Sequence, residues 1–133
     1  MSILGTRVVR IEDPRFLKGE GTYIGNLPME GALHLTFVRS PIAHARITSF
    51  DASEALSMPG VRAVWTAADI DLPPAPPAHG FMNKGIVFPY LAIDTVRYVG
   101  DLVAIVVSED KTSGTDAAET VIVDYEPLPV LLD

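Results

Sequence analysis

The sequence contains no cysteine, which excludes disulfide bonds, thiolate zinc sites and cysteine-ligated iron–sulfur clusters from its 133 residues. Its longest aliphatic run has only six residues, Leu102 to Val107, which is too short to span a bilayer and is typical of a buried strand. Basic residues number 10 against 17 acidic ones, so the net charge of −7 would repel nucleic acid and anionic membrane surfaces. We therefore expect no nucleic-acid partner and no membrane span.

The first residues of the chain show no targeting signal. Residues 1–7 lack the basic start and long apolar core of a secretory signal peptide. The absence of cysteine also suits a reducing compartment. We therefore expect the protein to be cytoplasmic.

Apolar and alternating segments predict an α+β fold with a mixed β-sheet. Hydrophobic residues make up 48% of the chain, which is enough to form a core. Strands are predicted over residues 33–39, 45–50, 61–66, 102–107 and 120–125. Two short-to-medium helices are predicted, one opened by a capping box from Asp51 to Glu54 and one over about 109–119. The last two strands and the helix between them have the order of a βαβ unit.

Two irregular segments interrupt this pattern. Residues 1–31 combine Pro14 and Pro28 with several glycines, and they are predicted to form an extended N-terminal arm rather than a helix. Residues 71–80 contain four prolines, which cannot join a sheet ladder or a helix interior. We expect this segment to be a long, stiff surface loop within one domain of residues 1–133, because its flanks are too short for two separate cores.

The glycines near the N-terminus do not indicate a nucleotide site. Gly19, Gly21 and Gly25 have a spacing one residue longer than the dinucleotide fingerprint, and no hydrophobic strand precedes them. Pro28 and Gly31 exclude a following helix, whose N-terminus would bind phosphate. Turns that need a positive φ angle are the simpler interpretation.

Other polar residues form no recognisable catalytic set. His34, His44 and His79 are the only histidines, and no pair of them has the spacing of a helical metal site. No serine lies in a G-x-S-x-G motif. Neighbouring carboxylates such as Glu12 and Asp13 point apart in regular structure. We therefore assign the chain no catalytic, metal-binding or cofactor-binding residue.

Lys111 supports one alternative function. It follows Ser108-Glu109-Asp110, and the segment is similar to the Asp-Lys tip that carries lipoyl groups in carrier domains. Carrier chemistry needs the lysine on an exposed hairpin between two strands. A strand precedes Lys111, whereas residues 115–119 after it are predicted to be helical. A free-standing carrier or binding module modified at Lys111 remains the alternative.

Five motifs, in this order along the chain, resemble one known family. They are Arg10–Tyr23 (RIEDPRFLKGEGTY), Phe37–Ile47 (FVRSPIAHARI), Met58–Val61 (MPGV), Val99–Ala104 (VGDLVA) and Asp116–Pro129 (DAAETVIVDYEPLP). Together they are similar to the N-terminal α/β-hammerhead domain of molybdenum hydroxylase large subunits. That family comprises carbon monoxide dehydrogenase, aldehyde oxidase and xanthine dehydrogenase. The resemblance covers about residues 5–133, and the bacterial carbon monoxide dehydrogenase-like branch is the most similar.

The resemblance implies a role inside a larger oxidoreductase. Family enzymes bind a molybdopterin cytosine dinucleotide in later domains of the large subunit, and electrons leave through 2Fe-2S and FAD centres in partner subunits. The hammerhead domain is implied to brace the cofactor domains. Its expected partners are therefore the remaining molybdopterin-binding domains and the iron–sulfur and flavin subunits. The isolated chain is predicted to be inactive and to hold no cofactor.

The motif positions are also the candidate interface residues. They are Arg10, Glu12, Asp13, Arg15, Gly19, Gly21, Tyr23, Arg39, Ser40, His44, Arg46, Gly100, Tyr125 and Pro127. The apolar residues 129–133 are expected to mark a further interface. Two positions depart from the family pattern, because Gly114 replaces an alanine-like residue at a cost of about 1 kcal/mol and Thr120 replaces a leucine. Both are expected to loosen the second helix and the strand after it.

Overall fold

A computed structural model describes residues 5, 10–75, 81, 83 and 89–130. Contacts divide the chain into two compact units, residues 1–31 and residues 32–133. The expectations for His79, for the end of the proline loop at 76–80 and for the apolar residues 131–133 lie outside the described residues.

The N-terminal unit contains a short helix that the sequence analysis did not predict. Helix α1 spans Asp13–Leu17, and a 3-10 turn follows at Ile24–Asn26. The helix ends in a Schellman motif: the Glu20 N–H donates to the Arg15 carbonyl at 2.9 Å, and the Gly19 N–H donates to the Phe16 carbonyl at 3.0 Å. The expected absence of a helix was therefore wrong. Pro14 in the first turn and a glycine just past the end are themselves helix-boundary signals.

The described part of residues 32–133 holds two three-stranded sheets. In sheet A the order is β1 (His34–Arg39), β5 (Leu102–Ser108), β3 (Val61–Thr66). In sheet B the order is β4 (Thr95–Val96), β2 (Ala45–Asp51), β6 (Ile122–Pro127). The α+β class is confirmed, but the expected mixed sheet is wrong because every described strand pair is antiparallel.

The predicted βαβ unit is also wrong. Strands β5 and β6 are joined by helix α3 (Lys111–Thr120), yet they belong to different sheets. The physical reason is that β1 and β3 already occupy both edges of β5, so no edge is left for β6. Strand β6 pairs with β2 instead.

The core is formed where helices and sheets meet. Helix α2 (Ser53–Ser57) and helix α3 pack on one face of sheet A, where Ala55 and Ala117 belong to the same buried cluster as Ala104 and Val106 of β5. A second cluster joins sheet B to the start of β5, and its buried residues are Ala45, Ala92, Val96 and Val103. Phe50 packs against both clusters and so connects the two sheets.

Local side-chain hydrogen bonds fix the starts of helices α2 and α3. The predicted capping box is wrong, because the Asp51 carboxylate accepts from the Ser53 N–H at 2.8 Å and from its hydroxyl at 2.6 Å rather than from Glu54. This is an Asx-type turn, in which a short carboxylate satisfies a nearby backbone donor. At α3, Asp110 is the N-cap and accepts from the Ser113 N–H at 2.9 Å.

Gly114 lies where α3 meets sheet A most closely. A Cβ atom at this position would lie 2.7 Å from the Thr36 hydroxyl oxygen and closer still to that of Ser108. Ser108 is fully buried, and its hydroxyl donates to the Asp110 carbonyl at 2.7 Å. The expectation that Gly114 merely loosens the helix is therefore wrong, because the missing side chain is what allows this helix–sheet distance.

Candidate assembly interface

Ser40 lies at the centre of a turn that joins two of the sequence motifs. Its N–H donates to the Asp101 carbonyl at 2.8 Å, and its own carbonyl accepts from the Gly100 N–H at 2.8 Å. Its hydroxyl donates to the Ile42 carbonyl at 2.8 Å, and the residue is only 2% exposed. Ser40 therefore holds the turn after β1 against the turn before β5.

Arg39 and Gly100 complete the same turn. The Arg39 guanidinium donates to the Gly100 carbonyl at 3.0 Å. Gly100 has a φ angle of 93°, a conformation that residues with a Cβ rarely adopt. The Asp101 carboxylate accepts from the Arg97 N–H at 2.9 Å and so orders the preceding segment.

Two tyrosines border this turn, and both are poor candidates for acid–base chemistry. Burial raises the pKa of Tyr125, Ser40 lowers it through a hydrogen bond, and the negative charge of Asp101 raises it again. Burial also raises the pKa of Tyr98, with Asp101 adding to the rise and Arg39 opposing it. Both pKa values move above the usual value of 10.0, away from neutral pH, so the phenols stay protonated and serve as hydrogen-bonding groups.

His44, Arg46 and Pro127 lie together where β2 pairs with β6. The His44 Nδ1 atom donates to the Pro129 carbonyl at 2.6 Å, and the His44 carbonyl accepts from the Leu128 N–H at 2.9 Å. Arg46 faces Glu126 in register, with 3.4 Å between the guanidinium and the carboxylate. Pro127 pairs with Ala45 at the end of the ladder.

The remaining candidate residues belong to the N-terminal unit. Arg15 lies 3.6 Å from the Glu12 carboxylate, and its guanidinium lies 5.5 Å from the centre of the Phe16 ring. The Phe16 and Tyr23 rings are stacked at 6.1 Å. The Arg10 carbonyl accepts from the Asp13 N–H at 3.2 Å, at the start of α1.

The two candidate glycines of this unit, Gly19 and Gly21, are needed for different structural reasons. Gly19 has a φ angle of 74°, as the Schellman motif requires. Gly21 does not have a positive φ angle, but a Cβ atom there would lie 3.1 Å from the Phe16 ring and 3.3 Å from that of Tyr23. The interpretation of turn glycines is thus confirmed at Gly19, whereas Gly21 makes room for two aromatic rings.

The structure brings together some predicted residues and separates others. Arg39, Ser40, Gly100 and Tyr125 surround one turn, and His44, Arg46 and Pro127 share one strand pair. Asp101 was missed, although it lies within the Val99–Ala104 motif. Its carboxylate accepts from the nearby Arg97 N–H, and the hydrogen bond from the distant Ser40 N–H to its backbone carbonyl appears only in the folded chain.

Two observations concern metal and cofactor binding by the described residues. Within them, no group of three or more His, Asp or Glu side chains is placed to hold a metal ion. A surface pocket lined by Ile70, Leu72 and Leu91 has Arg97 as the only charged residue of its described wall. The phosphates of a molybdopterin dinucleotide would need several convergent donors, so this pocket does not fit that cofactor.

The helices of the described residues concern two further expectations, the absence of a membrane span and the setting of Lys111. Their helices include none that is both long enough and apolar enough to cross a bilayer. Lys111 is the first residue of α3, so it does not occupy the hairpin tip between two strands that carrier chemistry needs.

Most of the chain matches one known domain family. Residues 18–129 match the family described as "Aldehyde oxidase and xanthine dehydrogenase, a/b hammerhead domain". The chain belongs to this family. The resemblance noted in the sequence motifs is thereby confirmed, and the two antiparallel sheets with their helices are those of a hammerhead domain.

Relatives of this hammerhead domain include the large subunit of a hydroxylase and the large chain of a dehydrogenase. The chain is 44% identical to the nicotine 6-hydroxylase large subunit of Paenarthrobacter nicotinovorans over 99% of its own length and 16% of that protein. It is 45% identical to the carbon monoxide dehydrogenase large chain of Afipia carboxidovorans, covering 98% of this chain and 16% of the relative. The solved reconstituted CO dehydrogenase from Oligotropha carboxidovorans superposes with a TM-score of 0.78 at 45% identity, over 97% of this chain and 16% of that one. The chain thus spans about a sixth of these relatives.

Proposed function

We propose that this hammerhead domain is a non-catalytic assembly domain, or a split subunit, of the large subunit of a molybdenum-dependent oxidoreductase. The observation that carries the proposal is the use made of the motif residues. In residues 32–133 they hold turns and strand pairs together, as Ser40 and His44 do. Catalysis needs convergent polar groups around a reacting atom, and the described residues supply a scaffold instead.

The relatives support the identity of the partners. They are described as large subunits or large chains, and this chain matches about a sixth of each. The proposed partners are the remaining molybdopterin-binding domains of the large subunit and, beyond them, the iron–sulfur and flavin subunits. The molybdopterin cytosine dinucleotide, the 2Fe-2S clusters and the FAD would then belong to those partners in a cytoplasmic enzyme. The substrate of such an enzyme follows from the partners, not from this domain.

The N-terminal segment is proposed to take part in this assembly as a portion of one domain covering residues 1–133. Its helix α1 has no buried residue, and Ile11, Leu17 and Ile24 are almost fully exposed. Exposed apolar side chains of this kind favour a contact with another protein surface. The Arg15, Phe16 and Tyr23 side chains hold one another in place, which lowers the entropy cost of binding.

Co-expression tests the proposal directly. The 133-residue chain carries an affinity tag, and the remaining large-subunit segment of the same organism is produced as a separate polypeptide. We expect the two to purify together, whereas the chain alone should contain no molybdenum or flavin and should oxidise no aldehyde, purine or carbon monoxide. Bound molybdenum or turnover in the lone chain would contradict the proposal. So would a chain that never associates with the remaining segment.

A further inference from the structure

One face of sheet A carries a row of apolar side chains, which we call the open face. Phe37, Ile105 and Trp65 lie side by side across the three strands, because Ile105 pairs with Phe37 on one edge and with Trp65 on the other. Two residues along the strands, Val107 pairs with Leu35 and with Ala63. Side chains two residues apart on a strand share a face, so all six lie on the same side of the sheet.

The opposite face of sheet A is already covered. Ala104 and Val106 point to that side and pack with Ala55 of α2 and Ala117 of α3. Among the described elements, α2 and α3 are the helices that contact the strands of this sheet. A sheet in a two-layer domain buries one face on helices and normally leaves polar residues on the other. On the open face Val107 of the central strand is itself only 4% exposed, whereas the edge strands present the aromatic and aliphatic side chains of Leu35, Phe37 and Trp65.

The exposed portions of this face are substantial. Leu35 is 55% exposed, Trp65 43% and Phe37 40%. Since a large side chain presents about 150–250 Å² when fully exposed, the three together expose roughly 300 Å² of mostly apolar surface. Arg39, at the edge of the face, lies with its guanidinium 5.6 Å from the centre of the Phe37 ring. An apolar centre with a charge at its rim is the usual anatomy of a protein interface.

We infer that the open face is the surface on which a second segment of the same large subunit docks, an inference that rests on the proposed function. Area decides between this occupant and a second copy of the chain. A stable dimer buries about 800 Å² on each partner, well above what this face offers. The remaining segment of a large subunit is several times longer than this domain, so it can contact the domain beyond the open face and needs only part of its contact area there. The relatives carry such additional chain, since this domain matches only 16% of their length.

The chain offers a closely matched pair of variants for the test. Leu35 on the open face is 55% exposed, and Leu56, on helix α2 at the covered side of sheet A, is 53% exposed. Leu35→Lys and Leu56→Lys make the same chemical change at nearly equal exposure. Thermal denaturation of the lone chain should therefore give similar midpoints for the two variants. A charge on the open face would be buried on docking, so the two should differ in assembly.

The measurement is recovery of the remaining large-subunit segment with the tagged chain after co-expression. We expect Leu35→Lys to reduce that recovery at least about tenfold, the loss produced by a single buried interface residue, while Leu56→Lys stays at the wild-type level. Oxidative footprinting adds an independent reading, because Trp65 is the only tryptophan of the chain. Its oxidation rate should fall in the assembled protein relative to the lone chain.

The outcomes distinguish a failure of this inference alone from a failure of the proposed function. If the wild-type chain associates, Leu35→Lys associates equally well and Trp65 keeps its oxidation rate, then the domain assembles through another surface and the inference is overturned alone. If the lone chain forms a dimer that Leu35→Lys disrupts, the occupant is a second copy and the inference is again overturned. If the wild-type chain never associates with the remaining segment, both fail together.

Discussion

Replacing Gly114 with alanine is expected to destabilise this hammerhead domain, although alanine is the better helix former. The new methyl group would be directed at two hydroxyl groups of sheet A. One belongs to Thr36, 2.7 Å from the added carbon, and the other to the fully buried Ser108. Distances under 3.0 Å are essentially never found for a real Cβ atom, so helix α3, strand β1 or the hydroxyl groups have to move.

The magnitude follows from three opposing contributions. Alanine in a helix interior is favoured over glycine by about 1 kcal/mol. Against this, forcing one extra methyl group into a packed core costs about 1–3 kcal/mol. Rotating the Ser108 hydroxyl away also breaks its hydrogen bond to the Asp110 carbonyl, worth about 1 kcal/mol. The net expectation is a loss of about 1–3 kcal/mol in the free energy of unfolding.

Urea denaturation of the 133-residue chain, followed by the fluorescence of Trp65, measures this loss. The matched control is Asp116→Ala, at an exposed position of the same helix, which should leave stability unchanged or raise it by a few tenths of a kcal/mol. A double-mutant cycle with Ser108→Ala tests the cause. Gly114→Ala should cost less in the Ser108→Ala background, because one of the two obstructing oxygens is gone.

A Gly114→Ala variant as stable as the wild type would refute this reasoning. It would mean that the helix can lift from the sheet without cost, and that the glycine is a simple departure from the family pattern. An equal cost of Gly114→Ala in both backgrounds would instead show that the contact with Ser108 is not responsible.

Further predictions concern caps, turns and pH. Asp110→Ala should lower the urea midpoint because helix α3 loses its N-cap, whereas an unchanged midpoint would show that the cap is dispensable. Hydrogen bonds, from Ser53 to Asp51, from Thr66 to Asp69 and from Ser113 to Asp110, lower the pKa of each carboxyl group from 3.8. Because these pKa values are lowered in the folded state, the ionised carboxylates stabilise the fold above about pH 4, and this stabilisation is lost as the pH falls below about 4. Urea titrations should therefore give a lower free energy of unfolding at about pH 3 than at about pH 6. The pKa of Tyr125 is raised in the folded state, so its effect on stability has the opposite pH dependence. The free energy of unfolding should fall as the pH rises above 10.0, and it should fall less in Tyr125→Phe than in the wild type between about pH 9 and 11. Gly19→Ala should destabilise the end of α1 by about 1–2 kcal/mol, because alanine resists a positive φ angle. The Glu20 amide hydrogen should then exchange faster with solvent, whereas unchanged exchange would contradict the role of the Schellman motif.

The strands could be predicted because their signal is local. Alternation and β-branched residues placed β1, β2, β3 and β5 to within a residue or two. Strand β6 was predicted to start at Thr120, whereas the structure keeps that residue in α3, where its hydroxyl donates to the Ala117 carbonyl at 2.9 Å. Propensity alone cannot place such a boundary, since Thr is acceptable in a strand and at a helix end.

The pairing of the strands could not be predicted in the same way. Nothing in the local pattern of β6 states that its partner is β2 and not β5, because that depends on which sheet edges are already occupied. The same limit applied to the candidate interface. The motifs included Ser40, Gly100 and Tyr125 among the candidate residues, but the hydrogen bonds around them appear only once distant segments meet. Gly114 was misread for a related reason, since its neighbours Thr36 and Ser108 lie on sheet A.

The pairing of early strands with late ones also determines when this domain can fold during synthesis. Strand β1 finds its partner in β5 and β2 in β6, and the hydrogen bond from His44 to Pro129 closes a loop of 85 residues. Such distant contacts carry a large loop-closure entropy and slow the search for the native state. Until the ribosome has released β4 and β5, the first two strands have no native ladder partner among the described strands, and β2 still lacks β6 until the segment that includes Pro129 has followed. Their unpaired edges are then open to wrong pairings, so a nascent chain of this family would depend on chaperones most strongly over this first stretch.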